Sequence, residues 1–189
     1  VEGIELQKRW PRKKSRTFGR VAALAAFASE AAVADAGLVA EDLQRDDVGL
    51  AYGSTHGSSS EQEKYCRALF ARDSVGSVTS STYLKFMSHT CAANLALFFG
   101  IRGRVHSTSA ACVSASQAMG AGFESIRAGA ASMMICGGAE ERHFMHAGAF
   151  DARYAASSKV NDTPHLPPRP FDRDRDAPVV GEWAGTVVL

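Results

Sequence analysis

Proline is sparse, cysteine sparser, and neither sign of charge prevails. The 189 residues include 6 prolines and 4 cysteines, with 46% hydrophobic and 22% charged residues, the balance of a soluble globular protein. That balance excludes collagenous, disordered and coiled-coil chains. Lysine and arginine number 21 against 20 aspartates and glutamates, a formal net charge of +1. No molecule-wide field draws in a polyanion, so any basic partner site is local. The Ala-rich stretch 21–40 is broken by Glu30 and Asp35, short of the roughly 20 apolar residues that a membrane-spanning helix needs. No membrane span is expected. The opening residues Val1-Glu2-Gly3-Ile4-Glu5-Leu6 lack the basic region, apolar core and cleavage site of a secretory leader, and the chain reads as cytoplasmic. Cys66, Cys91, Cys112 and Cys136 match neither a zinc knuckle nor a Cys-x-x-Cys pair. With a core large enough to need no staples, they read as free thiols of a reducing compartment.

What is present is a succession of α and β elements. Residues 1–14 are polar and basic around Trp10 and Pro11 and read as a loop. The recurrence of Phe18, Val21, Leu24, Ala25, Ala28 and Ala32 predicts a helix over 16–36, stopped by Gly37, and its many alanines imply close packing. Residues 46–53 form a short apolar run, a strand buried on both faces, followed by a small-residue loop over 54–60. Residues 61–70 read as helix, 72–81 as loop, and 83–99 as one further helix ended by Gly100 and Gly103. Residues 104–108 then read as strand, 112–128 as an apolar helix closed by Gly129, and 132–136 as a strand ending in Gly137 and Gly138. Strand, helix, strand is a crossover unit. Such units build parallel or mixed sheets covered by helices, with chemistry where a strand ends and a helix begins. Beyond Glu140 a less regular region containing Phe144, Met145 and Phe150 leads to a proline-rich loop over 164–170. Asp172-Arg173-Asp174-Arg175-Asp176 follows, and residues 184–189 read as a strand.

Cys112 falls where that crossover helix begins. At a first helical turn the backbone dipoles favour the thiolate, which is the reactive form. The small neighbours Ser109-Ala110-Ala111 and Ser114-Ala115 leave room for an acyl group and let backbone N–H groups approach a developing oxyanion. The same position also suits a buried structural cysteine.

The surrounding residues resemble a beta-ketoacyl-acyl-carrier-protein synthase. The resemblance rests on Ser109-Ala110-Ala111-Cys112-Val113-Ser114 and on Gly137-Gly138-Ala139-Glu140-Glu141. It continues through Phe150-Asp151-Ala152, Asn161-Asp162, the run from Arg169-Pro170-Phe171 to Asp176, and Gly181-Glu182-Trp183-Ala184-Gly185. The distance to Phe150 and the Glu-Glu pair look more like type I condensing enzymes than type II. The resemblance implies an α/β thiolase-like fold, a mixed sheet covered by helices, five-layered in the full protein. Residues 1–189 would form a partial N-terminal half, the two catalytic histidines lying in a C-terminal half that this sequence does not contain. It implies a decarboxylative Claisen condensation in which Cys112 takes an acyl chain from acyl carrier protein and a malonyl thioester lengthens it by two carbons, without cofactor or metal. Ala111 and Phe150 would line the acyl site. His56 falls where the family has a small or branched apolar residue limiting the acyl pocket, although a solvated loop histidine fits equally. Lys13, Lys14 and Arg16 match the patch that meets the acidic carrier protein, or form a solvated helix entry. Nucleic acid is disfavoured, since only Trp10 interleaves those charges. The strand over 105–108 would pair across a two-fold axis, giving a homodimer or heterodimer.

Other readings stay open. A silent partner subunit would shape the cavity of an active synthase, yet such subunits usually replace the nucleophile; a degradative thiolase lacks the run from Arg169 to Asp176. His143 and His146 offer no third metal ligand. Asp172, Asp174 and Asp176 fail as a calcium loop because Ala177 and Trp183 stand where glycine and glutamate are required. Ala110, Ala177-Pro178 and Trp183 depart from the family pattern, Trp183 replacing a common glycine.

Overall fold

The computed structural model describes residues 9–72, 76 and 78–189. The expected loops over 1–14 and 72–81 lie partly outside those residues. The chain divides into two compact units, Val1–Glu141 with Trp183–Leu189, and Arg142–Glu182.

The first unit is built on a mixed four-stranded sheet. Its strands are β1 (Val48–Gly53), β2 (Val105–Thr108), β3 (Met133–Glu140) and β4 (Trp183–Val188), in the order β2-β1-β3-β4. β1 runs parallel to β2 and β3, and β4 runs antiparallel to β3. All six residues of β1 are buried, the signature of a strand covered on both faces. Period-two alternation sends Leu50 and Tyr52 to one face, where they pack with Val21, Leu24, Leu95, Ile135 and Ala139. Ala51 goes to the other, with Ala118, Met134 and Cys136. Full burial of a side chain such as Leu50 contributes roughly 1.5–3 kcal/mol.

Helices cover both faces. α1 (Arg20–Asp35) lies on the first; its alanines, Ala25 and Ala26 fully buried, allow close approach. It starts later than the expected residue 16 because Gly19 is wedged against Ser58 and the carbonyl of Lys85. Ser58 Oγ then accepts the Val21 N–H at 2.9 Å, satisfying one of the donors that a helix start leaves orphaned. Residues Arg12–Ser15 ahead of it form one helical turn rather than loop. Gly37 (φ 69°) terminates the helix as expected. α2 spans Ser59–Arg72. The expected single helix over 83–99 is two, α3 (Ser80–Phe86) and α4 (Thr90–Phe99). Buried Asn94 holds the break: its Nδ2 donates to the carbonyls of Leu84 (3.2 Å) and Thr17 (3.1 Å), and its Oδ1 accepts from Thr17 Oγ1 at 2.7 Å. α5 (Ser114–Arg127) covers the opposite face and closes the β2-α5-β3 crossover over β1. β3 continues through Gly137 and Gly138 to Glu140 instead of ending at them, because β4 pairs along that stretch.

In the second unit the expected irregular region contains a helix, α6 (Phe144–Asp151), with Phe150 half-buried. Asp176 Oδ2 accepts from Ser157 Oγ (2.8 Å) and from the N–H groups of Ser158 (2.8 Å) and Lys159 (3.0 Å), tying distant parts of this unit together. Among the described residues no helix is long and apolar enough to cross a membrane.

Candidate active site

Three parallel strands end on one side of the sheet, and the antiparallel β4 begins there. That topology gathers Ser54-Thr55-His56 after β1, residues 109–113 after β2, Glu140 at the end of β3 and Trp183 at the start of β4, where Glu140 and Trp183 are register partners. It is the side on which open α/β sheets place their sites. Glycines seat α5 directly on the strand ends: a Cβ on Gly138 would lie 2.6 Å from Ala115 Cβ, and one on Gly53 2.5 Å from the Ser114 backbone.

Cys112 is exposed. It does not occupy the first helical turn as expected, since α5 begins at Ser114 with Val113 as its cap. The reason is the turn before it. Ala111 is left-handed (φ 51°), a conformation that costs a non-glycine residue about 1–3 kcal/mol. Its carbonyl accepts from Ser114 Oγ (2.7 Å), Ser114 N–H (3.0 Å) and Thr55 Oγ1 (2.9 Å). Ser114 Oγ in turn accepts the Ala110 N–H at 2.9 Å. This network offsets the strain and places Cys112 on a tight turn between β2 and α5. There the thiol borders a cavity of about 60 Å³ that Gly53, Thr55, Ala111, Ala115, Glu140 and Trp183 also line. A thiol beside small residues and an open space can accept an acyl group.

His56 is not among the residues that line this cavity; it reaches the site through Glu140. His56 Nδ1 lies 3.2 Å from Glu140 Oε2, while Glu140 Oε1 accepts from Ser54 Oγ (2.5 Å) and the Thr55 N–H (2.7 Å). Neighbouring Glu141 points elsewhere. It is 1% exposed and accepts from the Ser60 N–H and from Ser60 Oγ (3.1 Å) at the start of α2, where a carboxylate suits the helix dipole. Thr55, Glu140 and Trp183 are cavity residues whose place sequence reasoning missed. Glu140 was visible only as part of a motif and Trp183 only as a departure from one. Phe150 belongs to the second unit.

The cysteines are all free, as expected. Burial pushes the Cys136 thiol up to about 11. It raises Cys91 further, with the charge of Glu140 adding to the effect. Neither is poised as a nucleophile.

A larger cleft of about 1250 Å³ lies away from Cys112 and is walled by Arg12, Arg16, Arg20, Lys64 and Lys85, with Glu61 among them. Of the three cations expected at a docking patch, Arg16 lines it. Lys13 and Lys14 sit on the preceding helical turn, with Lys14 Nζ 5.4 Å from the centre of the Phe98 ring. Arg20, Lys64 and Lys85 come from three separate helices, so no sequence run announced them. Trp10 is buried, its Nε1 donating to Glu30 Oε1 at 2.8 Å, and offers no face to a nucleic-acid base. The His143 and His146 rings stand 6.1 Å apart, and among the described residues no three His, Cys, Asp or Glu side chains converge.

The family described as beta-ketoacyl synthase, N-terminal domain, matches residues 6–189. The chain is 34% identical over 178 residues to 3-oxoacyl-(acyl-carrier-protein) synthase 1 of Haemophilus influenzae, which covers 94% of this chain and 44% of that protein. A beta-ketoacyl synthase from Burkholderia phymatum matches 100% of this chain with 46% of its own, at a TM-score of 0.91 and 44% identity. The ishigamide ketosynthase/chain length factor structure matches 100% of this chain with 45% of its own, at 0.82 and 25% identity. The chain thus spans less than half the length of these relatives, and the thiolase-like α/β fold expected from the sequence is the one they share with it. With its sheet, its crossover and its Cys112 turn all inside the matched segment, the chain belongs to the beta-ketoacyl synthase family.

Proposed function

We propose that this chain is the N-terminal half of an acyl-condensing enzyme and that Cys112 is its nucleophile. The Cys112 thiolate attacks the thioester carbonyl of an acyl carrier protein, forming a new thioester and releasing the carrier's thiol. A malonyl thioester then loses carbon dioxide, and its carbanion attacks the acyl-enzyme carbonyl. The carbon–carbon bond forms as the Cys112 thiolate leaves, and the product is a 3-oxoacyl chain two carbons longer. The histidines that assist belong to the remainder of the relatives' length. The observation that carries this reading is the exposed Cys112 on its braced turn, facing a cavity.

The carrier protein docks by its acidic face, and the cleft holding Arg16 is its site, aided by Lys13 and Lys14. A second synthase-type subunit pairs along β2, which lies at the sheet edge with Val105 exposed, an edge that would otherwise invite aggregation. The second reading, a silent partner subunit, draws on the similarity to the ishigamide ketosynthase/chain length factor; the presence of Cys112 favours the enzyme.

The test is intact mass spectrometry of the full-length protein with acyl carrier thioesters, followed by peptide mapping. An acyl increment on Cys112, absent from Cys112→Ala, is the expected result. No increment in a full-length protein that co-purifies with an acylated second subunit would move the silent-partner reading ahead.

A further inference from the structure

Trp183 stands where the family commonly has glycine, and its place in the sheet gives that bulk an address. Along β4 the side chains alternate. Thr186 faces α1, its Oγ1 lying 3.0 Å from both Ser29 Oγ and Tyr52 Oη, and Ala184 packs on the same core. Trp183 and Gly185 therefore face the opposite side, that of α5 and Cys112. On that side the adjoining strand positions Gly138 and Gly53 carry no side chains. A Cβ on Gly185 would lie 3.2 Å from Trp183 Cζ3 and 3.7 Å from Cε3, so the indole lies along β4 over Gly185.

There it forms one wall of the 60 Å³ cavity beside Cys112, across the β3-β4 ladder from Glu140. At about 60 Å³ that cavity has room for only a few water-sized groups, each needing about 10–15 Å³. An apolar chain that extends toward the β3-β4 side meets the indole and the Glu140 carboxylate, which a hydrocarbon cannot solvate. Trp183 is 47% exposed and belongs to neither core cluster, and the space it borders in this chain is the cavity beside Cys112.

We infer that Trp183 is a specificity-determining residue: its indole limits the acyl group carried by Cys112 to short chains. The inference rests on Cys112 being the acylated residue. The shortening is steric, and the room is regained when the ring is removed.

The experiment measures acylation of Cys112 in the full-length protein by a series of saturated acyl carrier thioesters of increasing length, each rate normalised to the shortest. Wild type, Trp183→Ala and Trp183→Phe are compared, with melting temperature as the check on folding. The wild-type profile should fall sharply after the short chains. Trp183→Ala should move that fall to longer chains, with a gain of roughly 10–200-fold at the first length that wild type rejects. Trp183→Phe should move it less. A wild type that accepts long chains as fast as short ones, or a folded Trp183→Ala with the wild-type profile, would overturn the inference. Where the alanine variant does not fold, the phenylalanine variant decides by the same criterion. Absence of acylation at every length in wild type would overturn the Cys112 reading itself and this one with it.

Discussion

A methyl group placed on Gly138 tests whether the close seat of α5 on the sheet positions Cys112. The new Cβ would lie 2.6 Å from Ala115 Cβ, and 3.1 Å from both Ala115 Cα and the Gly53 carbonyl oxygen. The methyl–methyl distance is about 1 Å short of ordinary van der Waals separation, and the Gly53 carbonyl blocks retreat, so the start of α5 must move. Overpacking of this kind costs about 1–3 kcal/mol. A displacement near 1 Å close to the reacting atom can cost ~100-fold in rate. Gly138→Ala should therefore lower both the denaturation midpoint of the full-length protein and the rate of acyl transfer to Cys112. Ala115→Gly removes the methyl group that is struck. Alone it costs at most about 1 kcal/mol of helix propensity, and in the double variant it should restore most of the lost rate, with a coupling energy of about 1–2 kcal/mol. Gly129→Ala supplies the contrast, since it is left-handed (φ 70°) with nothing within 4 Å of the added methyl. It should cost about 1 kcal/mol in strain and leave acylation alone. The reasoning fails if Gly138→Ala acylates at the wild-type rate, or if Ala115→Gly does not restore it.

Two further expectations concern titratable groups. Near neutral pH a thiol-alkylating reagent should modify exposed Cys112 and spare Cys91 and Cys136, whose burial keeps them protonated well into the alkaline range, Cys136 up to about 11. Peptide mapping that finds label on Cys136 in folded protein would contradict the packing of α5 on β3. Asp176 has its pKa lowered, first by the Lys159 N–H and then by Ser157. A group depressed in the folded state contributes stability above its unfolded pKa and loses it as pH falls through the folded one. Amide exchange at Ser158 and Lys159 should thus stay slow from neutral pH down through the ordinary carboxylate range and quicken only below it. In Asp176→Ala it should be fast throughout, and equal protection in the variant would refute the tie.

The sequence showed the order of strands and helices because burial dictates it. A six-residue run such as Val48–Gly53, apolar throughout, has few alternatives to a central strand, and Gly37, Gly100 and Gly129 each end a helix in the left-handed conformation that glycine takes most readily. The errors share one cause, a partner distant in sequence. α1 starts late because Ser58 supplies its capping oxygen. The helix over 83–99 breaks between Phe86 and Thr90, a break held by Asn94, which bonds the Leu84 carbonyl and Thr17, the latter 77 residues away. β3 outlasts its glycines because β4 pairs with it, and there the missing side chains are what α5 requires. α5 itself begins two residues beyond Cys112 because Thr55 and Ser114 hold Ala111 left-handed. Local pattern carried none of these bonds. Cys112 still lies among small residues between a strand and a helix, as its sequence context implied, whichever residue starts the helix.

The loop after β1 links these corrections to the chemistry. Glu140 and Glu141 are adjacent on one strand end, so they leave it in opposite directions. Glu140 takes Ser54 Oγ and the Thr55 N–H, and Glu141 takes Ser60. The loop is thereby stitched to β3 at both of its ends. Thr55, so fixed, donates to the Ala111 carbonyl at 2.9 Å and accepts from Ser109 Oγ at 3.4 Å, which braces the strained turn on both sides of Ala110. The position of Cys112 consequently depends on a carboxylate that never touches it. In this chain that carboxylate also faces His56 and the cavity wall shared with Trp183, so the groups that position Cys112 and the groups that shape its cavity are connected through Glu140.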